Sequence, residues 1–451
     1  MKKVALCLAL TSLLALGGRA FAEICTVDDV PAATLLLPYF EVDLGSANGA
    51  NTLFSINNAS ATAILAHVTM WTDMSIPTLD FDVYLTGYDV QTISLRDIFN
   101  GNLPVTASAG QDPGDHISPK GVLSQDINFA SCTGKLPFTN PALNSTLLSH
   151  IRAAHTGGPS AVFSGRCSGF AYGDNIARGY ITVDTVNQCN LLFPNSRGYF
   201  TGVATFQNVL WGDYFYVNEA QSFADGETLV HIEACNPPNS PSLYSGYVGN
   251  GAGNCPFAPG DYTFYSRYVA AAGTDQREPL ATTFAARYLN GGSFSGGTNM
   301  IVWRDSKTNG TAANGPFRCS AGGPAWYPLN QAAIVAFDEQ EHPTTICIAG
   351  SDNVSPPIGQ AQTCFPLETQ SVSLQPGATT NPGDNPTPPY TFGWMYMNLN
   401  TSTGGTNDPT AQAWVYTRLE ANGRFSVGYS AVQLDNACYT NGTSGLILNA
   451  P

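Results

Sequence analysis

Residues 64–71 read ILAHVTMW and residues 81–85 read FDVYL, two short runs rich in β-branched and aromatic side chains, joined by TDMSIPTLD. In the second run Phe81, Val83 and Leu85 fall on one side, and Asp82 and Tyr84 on the other. That period of two predicts a β-strand in a sheet buried on one face. NTLFSIN (Asn51 to Asn57) and VQTISL (Val90 to Leu95) have the same character. All are bounded by Gly, Asn, Asp or Pro, the punctuation of a β-sandwich or barrel.

The order of these motifs recurs further along the chain. Thr34 to Phe40 lies on Thr283 to Leu289, and Asn51 to Ser60 on Thr298 to Lys307. AHVTMWTDMSIP (Ala66 to Pro77) lies on AAIVAFDEQEHP (Ala332 to Pro343), matching Trp71 with Phe337, Asp73 with Glu339 and Pro77 with Pro343. Asp89 to Leu95 then matches Glu368 to Leu374, Gly179 to Asp184 matches Gly393 to Asn398, and Trp211 to Cys235 matches Trp414 to Cys438 without a gap. Colinear blocks at this separation predict an internal duplication. The expected fold is all-β: two tandem β-sandwich units, immunoglobulin-like or jelly-roll-like, held by disulfides. The predicted organisation is a signal peptide over 1–22, a first unit over 23–273 with a helix-bearing insertion, and a second unit over 274–451. The helix is predicted at NSTLLSHIRAA (Asn144 to Ala154), with Asn144 or Ser145 as cap and Gly157-Gly158-Pro159 as stop.

The chain opens with Lys2 and Lys3, an apolar run from Val4 to Leu16 and the small-residue pattern Ala20-Phe21-Ala22. That tripartite pattern predicts export with cleavage after Ala22. A lipid anchor at Cys25 does not fit, because acidic Glu23 sits where such signals carry small residues. Cys7 would leave with the signal. Ten cysteines remain, at 25, 132, 167, 189, 235, 255, 319, 347, 364 and 438, an even set that predicts up to five disulfides in an oxidising compartment. About 945 pairings are open to ten cysteines, so connectivity is not readable; Cys347 with Cys364 is the one local pairing suggested. No C-x-x-C pair is present, which argues against zinc and covalent haem.

Charged residues are only 11% of the chain, while 43% is hydrophobic. That balance excludes disorder by charge. Removing Lys2, Lys3 and Arg19 with the signal leaves 15 basic against 33 acidic residues. Nucleic acid and anionic membrane surfaces are therefore unfavourable partners. No stretch suits a membrane-spanning helix, and the lipid-facing alternation of a membrane barrel is not sustained.

G-x-S-x-G, H-E-x-x-H, EF-hand and P-loop patterns are all missing from the sequence. Ser168, beside Cys167, sits one place late for a nucleophile turn. His67 is expected as a structural or surface residue and His231 on a solvated strand face, while His150 and His155 fall on different helix faces. The densest acidic group is Asp338-Glu339-Gln340-Glu341-His342, and its counterpart region holds Asp73, Asp80 and Asp82. Such acids suit a calcium ion or a solvated turn, and no other cofactor is implied. Asp112 to His116 reads as a polar turn. Tyr262, Phe264, Tyr265 and Tyr268, and Trp394 with Tyr396, offer faces for a sugar or protein, or else fill the core.

LLLPYFEVD (Leu35 to Asp43), WTDMSIPTLDFDVYLTGYDVQTISLRDIF (Trp71 to Phe99), ARGYITVDTVNQC (Ala177 to Cys189) and LWGDYFYVNEAQSFADGETLVHIEA (Leu210 to Ala234) resemble a group of uncharacterised secreted bacterial β-rich proteins. The resemblance implies export and a β fold, and carries no site residue with it. The sequence thus predicts a periplasmic or extracellular, cell-surface protein without a recognisable catalytic motif. Its expected role is structural, adhesive or ligand-binding, toward a polysaccharide or a protein. The alternatives are a carboxylate-dependent, polysaccharide-active hydrolase using Asp73, Asp80, Asp82, Glu339 and Glu341, or a subunit of a surface assembly.

Overall fold

The computed structural model describes residues 30–106, 129–136, 138, 141–234, 263–265, 267–268, 275–305, 315–319, 329, 331–346, 364–378, 382–383, 385–400, 402–403, 406–407, 411–421 and 425–434. The expected signal peptide, Tyr262, the turn Asp112 to His116, and Cys25, Cys235, Cys255, Cys347 and Cys438 lie outside them.

The chain is mostly antiparallel β. Its first half contributes β1 (Thr34–Asp43), β2 (Ala50–Asn58), β3 (Ile64–Thr72), β4 (Pro77–Leu85), β5 (Val90–Ser94), β6 (Ile176–Val186), β7 (Leu210–Trp211), β8 (Asp213–Asn218), β9 (Phe223–Thr228) and β10 (Val230–Ile232). They form one sheet in the order β10-β1-β6-β3-β4 and another in the order β5-β2-β8-β9, with β7 also on β2. The second half contributes β11 (Thr283–Leu289), β12 (Gly297–Asp305), β13 (Ala333–Phe337), β14 (Pro343–Ile346), β15 (Thr369–Ser373), β16 (Phe392–Asn398), β17 (Ser402–Thr403), β18 (Thr406–Asn407), β19 (Gln412–Ala421), β20 (Phe425–Ser430) and β21 (Val432–Gln433). Here the orders are β21-β11-β16-β13-β14 and β15-β12-β19-β20, and β17 pairs with β18.

Strand orders and registers correspond between the halves. Trp71 faces Tyr180 across β3 and β6, and Phe337 faces Trp394 across β13 and β16. Thr34 faces Asp184, and Thr283 faces Asn398. Along β2 the correspondence differs by one residue from the sequence match: Leu53 faces Ser94, while Asn299, not Met300, faces Ser373. Thr52 and Thr298 mark the same place, because each hydroxyl bonds both the N–H and the carbonyl of one residue in the preceding strand, Glu41 and Leu289.

Among the described residues three α-helices interrupt the strands: α1 (Leu95–Phe99), α2 (Ser145–His155) and α3 (Tyr199–Gly202). The predicted helix is α2, and Asn144 caps it by accepting the Leu147 N–H at 2.9 Å. Its Ile151 joins a core cluster that draws on both first-half sheets, with Leu35, Leu37, Phe54, Ile56, Val83 and Tyr214, and also takes in Ile301 and Tyr416 of the second half. Only one helix was expected; α1 and α3 are each about one turn and carry no periodic signal.

The one-sided reading of FDVYL does not hold. Asp82 and Tyr84 are buried along with Phe81, Val83 and Leu85. The second face of this sheet is covered by a further cluster containing Trp71, Tyr84, Tyr180, Cys132, Cys189, Tyr199, Phe264, Tyr265 and Trp303. Phe264, Tyr265 and Tyr268 therefore pack inside. His231 is also buried, packing edge-on against Trp211 rather than facing solvent.

Cys132 is bonded to Cys189, and Cys167 to Cys319. Cys364 is also disulfide-bonded. The Cys167–Cys319 bond spans the halves and stands beside an antiparallel bridge between Cys167 and Phe317. These bonds fit an oxidising, extracytoplasmic environment. No helix among the described residues is long and apolar enough to cross a membrane.

Candidate functional site

The six acids singled out by sequence fall in three places. Asp73 lies in the β3–β4 turn, where its carboxylate accepts the Phe170 N–H at 3.0 Å and its carbonyl accepts the Glu368 N–H at 3.1 Å. It is fully enclosed, and burial pushes its carboxyl up to about 7.

Asp80 and Asp82 flank His67 inside the first half. His67 Nδ1 is 2.9 Å from Asp82 Oδ1, and Nε2 is 3.6 Å from Asp80 Oδ2. Burial opposes the charge on His67, but the carboxylates of Asp82, Asp80 and Asp184 together outweigh it and its pKa rises. Burial likewise raises Asp80 to about 6. Register continues the file from Asp82 through His67 to Asp184 and Thr34. Asp184 Oδ2 accepts from Tyr199 at 2.8 Å and Tyr265 at 2.9 Å, and its Oδ1 lies 3.4 Å from Arg277 Nε. The corresponding positions in β13, β16 and β11 hold Ala333, Asn398 and Thr283. This file is a sealed ion network that ties the 275–277 segment to the sheet.

Asp338, Glu339 and Glu341 occupy the corresponding β13–β14 turn, with Glu339 and Glu341 exposed. Asp338 Oδ1 accepts the Gln340 N–H at 2.8 Å and the His342 N–H at 2.9 Å. Those bonds, the His342 amide first, hold its carboxyl below the usual range. Thr72 plays the same part in the first half, its hydroxyl accepting from Met74 and Ile76. Glu341 has φ of 63° and Ser75 has 55°, so each of these turns passes through a left-handed residue.

The turn presents Glu341 to the outer face of the second-half sheet. Trp394 donates its indole N–H to Glu341 Oε2 at 3.3 Å, and Phe337 lies parallel to Trp394 with centroids 4.3 Å apart. Cross-strand register places Pro343, Phe337, Trp394 and Arg287 in one row, and Thr345, Val335, Tyr396, Ala285 and Val432 in the next. Every one of these residues is exposed or half-buried, whereas Ile334, Ala336, Met395, Met397, Phe284 and Ala286 on the opposite face are buried. One-sided burial, expected of β4, is thus realised in β11, β13 and β16.

The counterpart surface in the first half is closed. Trp71 and Tyr180 stack with centroids 5.7 Å apart, and Ser75 Oγ lies 2.7 Å from the Tyr180 hydroxyl. Tyr268 lies over Trp71 at 5.6 Å and 22°, and Trp303 meets Tyr180 edge-on. Ser75 also donates to Glu368 Oε2 at 2.5 Å, and Glu368 pairs with Arg267, which reaches Asp305 at 3.0 Å.

No family model, curated protein or solved structure matches the chain. The chemistry of the open face is read from its own groups: two parallel aromatic rings, a third in Tyr396, a carboxylate and a guanidinium at the rim. Such a face offers stacking surface and hydrogen bonding without a buried nucleophile. Ser168 is buried with no hydrogen-bond partner for its hydroxyl, and its neighbour Cys167 is bridged. His150 bonds Ser160 at 2.6 Å and His155 bonds Thr78 at 2.7 Å, so each is committed separately. Sequence reading named Phe337, Glu341 and the Trp394/Tyr396 pair separately. It missed their convergence, and it missed Ser75, Tyr180, Arg267 and Glu368, whose partners lie up to 293 residues away.

Proposed function

We propose that this is an exported glycan-binding protein of the cell exterior or periplasm, built from two duplicated β-sandwich units, whose ligand docks on the Phe337/Trp394/Tyr396 face. The observation that carries the reading is the half-exposed Phe337–Trp394 pair, standing where the first half seals Trp71 and Tyr180 beneath Tyr268. In the inner pair Trp71 takes Tyr268 stacked on its ring and Tyr180 takes the edge of Trp303, so such a row accepts both a flat partner and C–H edges. A pyranose supplies both, with C–H groups toward the negative π-cloud and hydroxyls toward Glu341 and Arg287. The acidic chain, with a net charge of −15, favours a neutral sugar over an anionic one. The matching strand orders and registers support duplication, and the cores shared by paired sheets support sandwiches. The Cys132–Cys189 and Cys167–Cys319 bonds support export.

Affinity electrophoresis and calorimetry against a panel of neutral and charged polysaccharides test the reading. Binding to a neutral glycan, lost in Trp394→Ala, is the expected result; retention of undiminished affinity in that variant rejects the site. Turnover of a polysaccharide or ester that disappears in Glu341→Gln would instead establish the hydrolase.

A further inference from the structure

We propose that Glu233, Gln276 and Glu278 form a binding site for a hard divalent cation, calcium, where the end of β10 meets the connection between the halves. Ala234 and Arg277 form an antiparallel bridge, and the Glu278 N–H donates to the Glu233 carbonyl at 2.9 Å. That register sets Glu233 directly opposite Glu278, with their side chains on one face, and strand alternation puts Gln276 on the same face. Ala234 and Arg277 take the other face. Arg277 is committed there, to Asp275 at 3.1 Å, to Asp184 and to the Thr205 carbonyl at 3.1 Å.

Glu233 is only 6% exposed, yet its Oε1 has no hydrogen-bond partner. Gln276 Oε1 is also buried without one. Among the described residues no arginine, lysine or histidine forms an ion pair with Glu233. A carboxylate in that setting is costly unless a positive charge or a proton joins it. Burial accordingly raises Glu233, and burial followed by the charge of Glu233 raises Glu278.

The three side chains that share this face offer oxygens. His231, next along the same face, is within 3.4 Å of the Gly212 N–H through Nε2. An all-oxygen set with irregular geometry suits calcium better than zinc, which prefers nitrogen and sulfur, or magnesium, which demands a regular octahedron. Two carboxylates and one amide leave several positions for water, so the affinity belongs with weak extracellular modules, a Kd on the order of 10⁻⁴ to 10⁻³ M. The ion would lock the connection to β10 and so couple the halves. The inference is independent of glycan binding.

The test uses the mature, oxidised protein stripped with chelator. Terbium luminescence excited through tryptophan, competed with calcium, reads affinity, and thermal unfolding in calcium or magnesium at millimolar concentration reads linkage. Expected are a rise in Tm with calcium exceeding that with magnesium, and at least a ten-fold weaker calcium affinity in Glu233→Gln. Trp211→Phe, which replaces the indole packed on His231 with a phenyl ring, should dim the terbium signal while leaving calcium affinity unchanged. Should Glu233→Gln fail to fold, the half-buried Gln276→Ala reports through the same assay, with weakened calcium binding expected. Absence of any calcium-dependent shift, or wild-type affinity in the folded variant, overturns the proposal.

Discussion

Glu341 accepts the indole N–H of Trp394 at 3.3 Å, and both side chains belong to an exposed sheet surface. The first half sets Ser75 against Tyr180 in the corresponding turn, at 2.7 Å, inside the core. One backbone device therefore serves two environments, with a serine at the left-handed position where the face is covered and a glutamate where it is open. A serine fits beneath Tyr268 and Glu368; a glutamate there requires water or a partner.

The two aromatic pairs should respond differently to truncation. Trp71→Ala opens a cavity in a closed cluster and should cost about 4 kcal/mol. Trp394→Ala removes one half-exposed ring and should cost about 1 kcal/mol, the size of an aromatic pair term, while abolishing glycan binding. Urea unfolding of both variants checks this, and equal losses would contradict the assigned burial.

Glu368→Ala should destabilise the protein by about 3 kcal/mol, because it strips Ser75 and buried Arg267 of an acceptor. Glu368→Gln keeps an acceptor for Ser75 and should cost less. Denaturant midpoints rank the two, and a neutral Glu368→Ala would remove the ion network from any role in joining the halves.

Asp73 gives a pH signature. Its folded pKa of about 7 lies above the ordinary 3.8, so between those values the native state holds a proton that the unfolded chain has released. Stability contributed at Asp73 therefore falls as pH rises from about 4 to 7 and is flat beyond. Asp73→Asn should match wild type near pH 4 and exceed it by up to about 4 kcal/mol at pH 8. Melting curves across that range would show a constant offset if the carboxyl were solvated.

Removing the Cys167–Cys319 bond by paired serine substitution should cost about 5 kcal/mol, and removing Cys132–Cys189 about 1 kcal/mol less, since they span 152 and 57 residues. Peptide mapping under non-reducing conditions checks the pairings themselves.

Much of the β architecture was legible from the chain. The run at Ile64 to Trp71 is strand, as is Val90 to Ser94, with Leu95 opening α1 instead; the helix capped by Asn144 is in place, and the matched blocks contain strands of the same order in each half, with a one-residue offset along β2. The acidic turn at Asp338 was also legible, since its acids and the Trp394/Tyr396 pair stand in short contiguous stretches. The fate of FDVYL was not. Alternation predicts which side chains share a face, but whether a second layer covers the other face depends on residues 129–136, 199–203 and 263–268, far away in sequence.

Composition and local pattern determined that this chain forms β-strands with turns at Gly, Asn, Asp and Pro, because backbone preference and side-chain alternation act within a few residues. Tertiary structure alone decided that Trp71 is sealed while Trp394 is open, that Asp73, Asp80 and Asp82 are enclosed while Glu339 and Glu341 meet solvent, and that Glu233 opposes Glu278. Those outcomes depend on which distant segment displaces water from a given face, and desolvation is a property of the packed neighbours rather than of the residue itself.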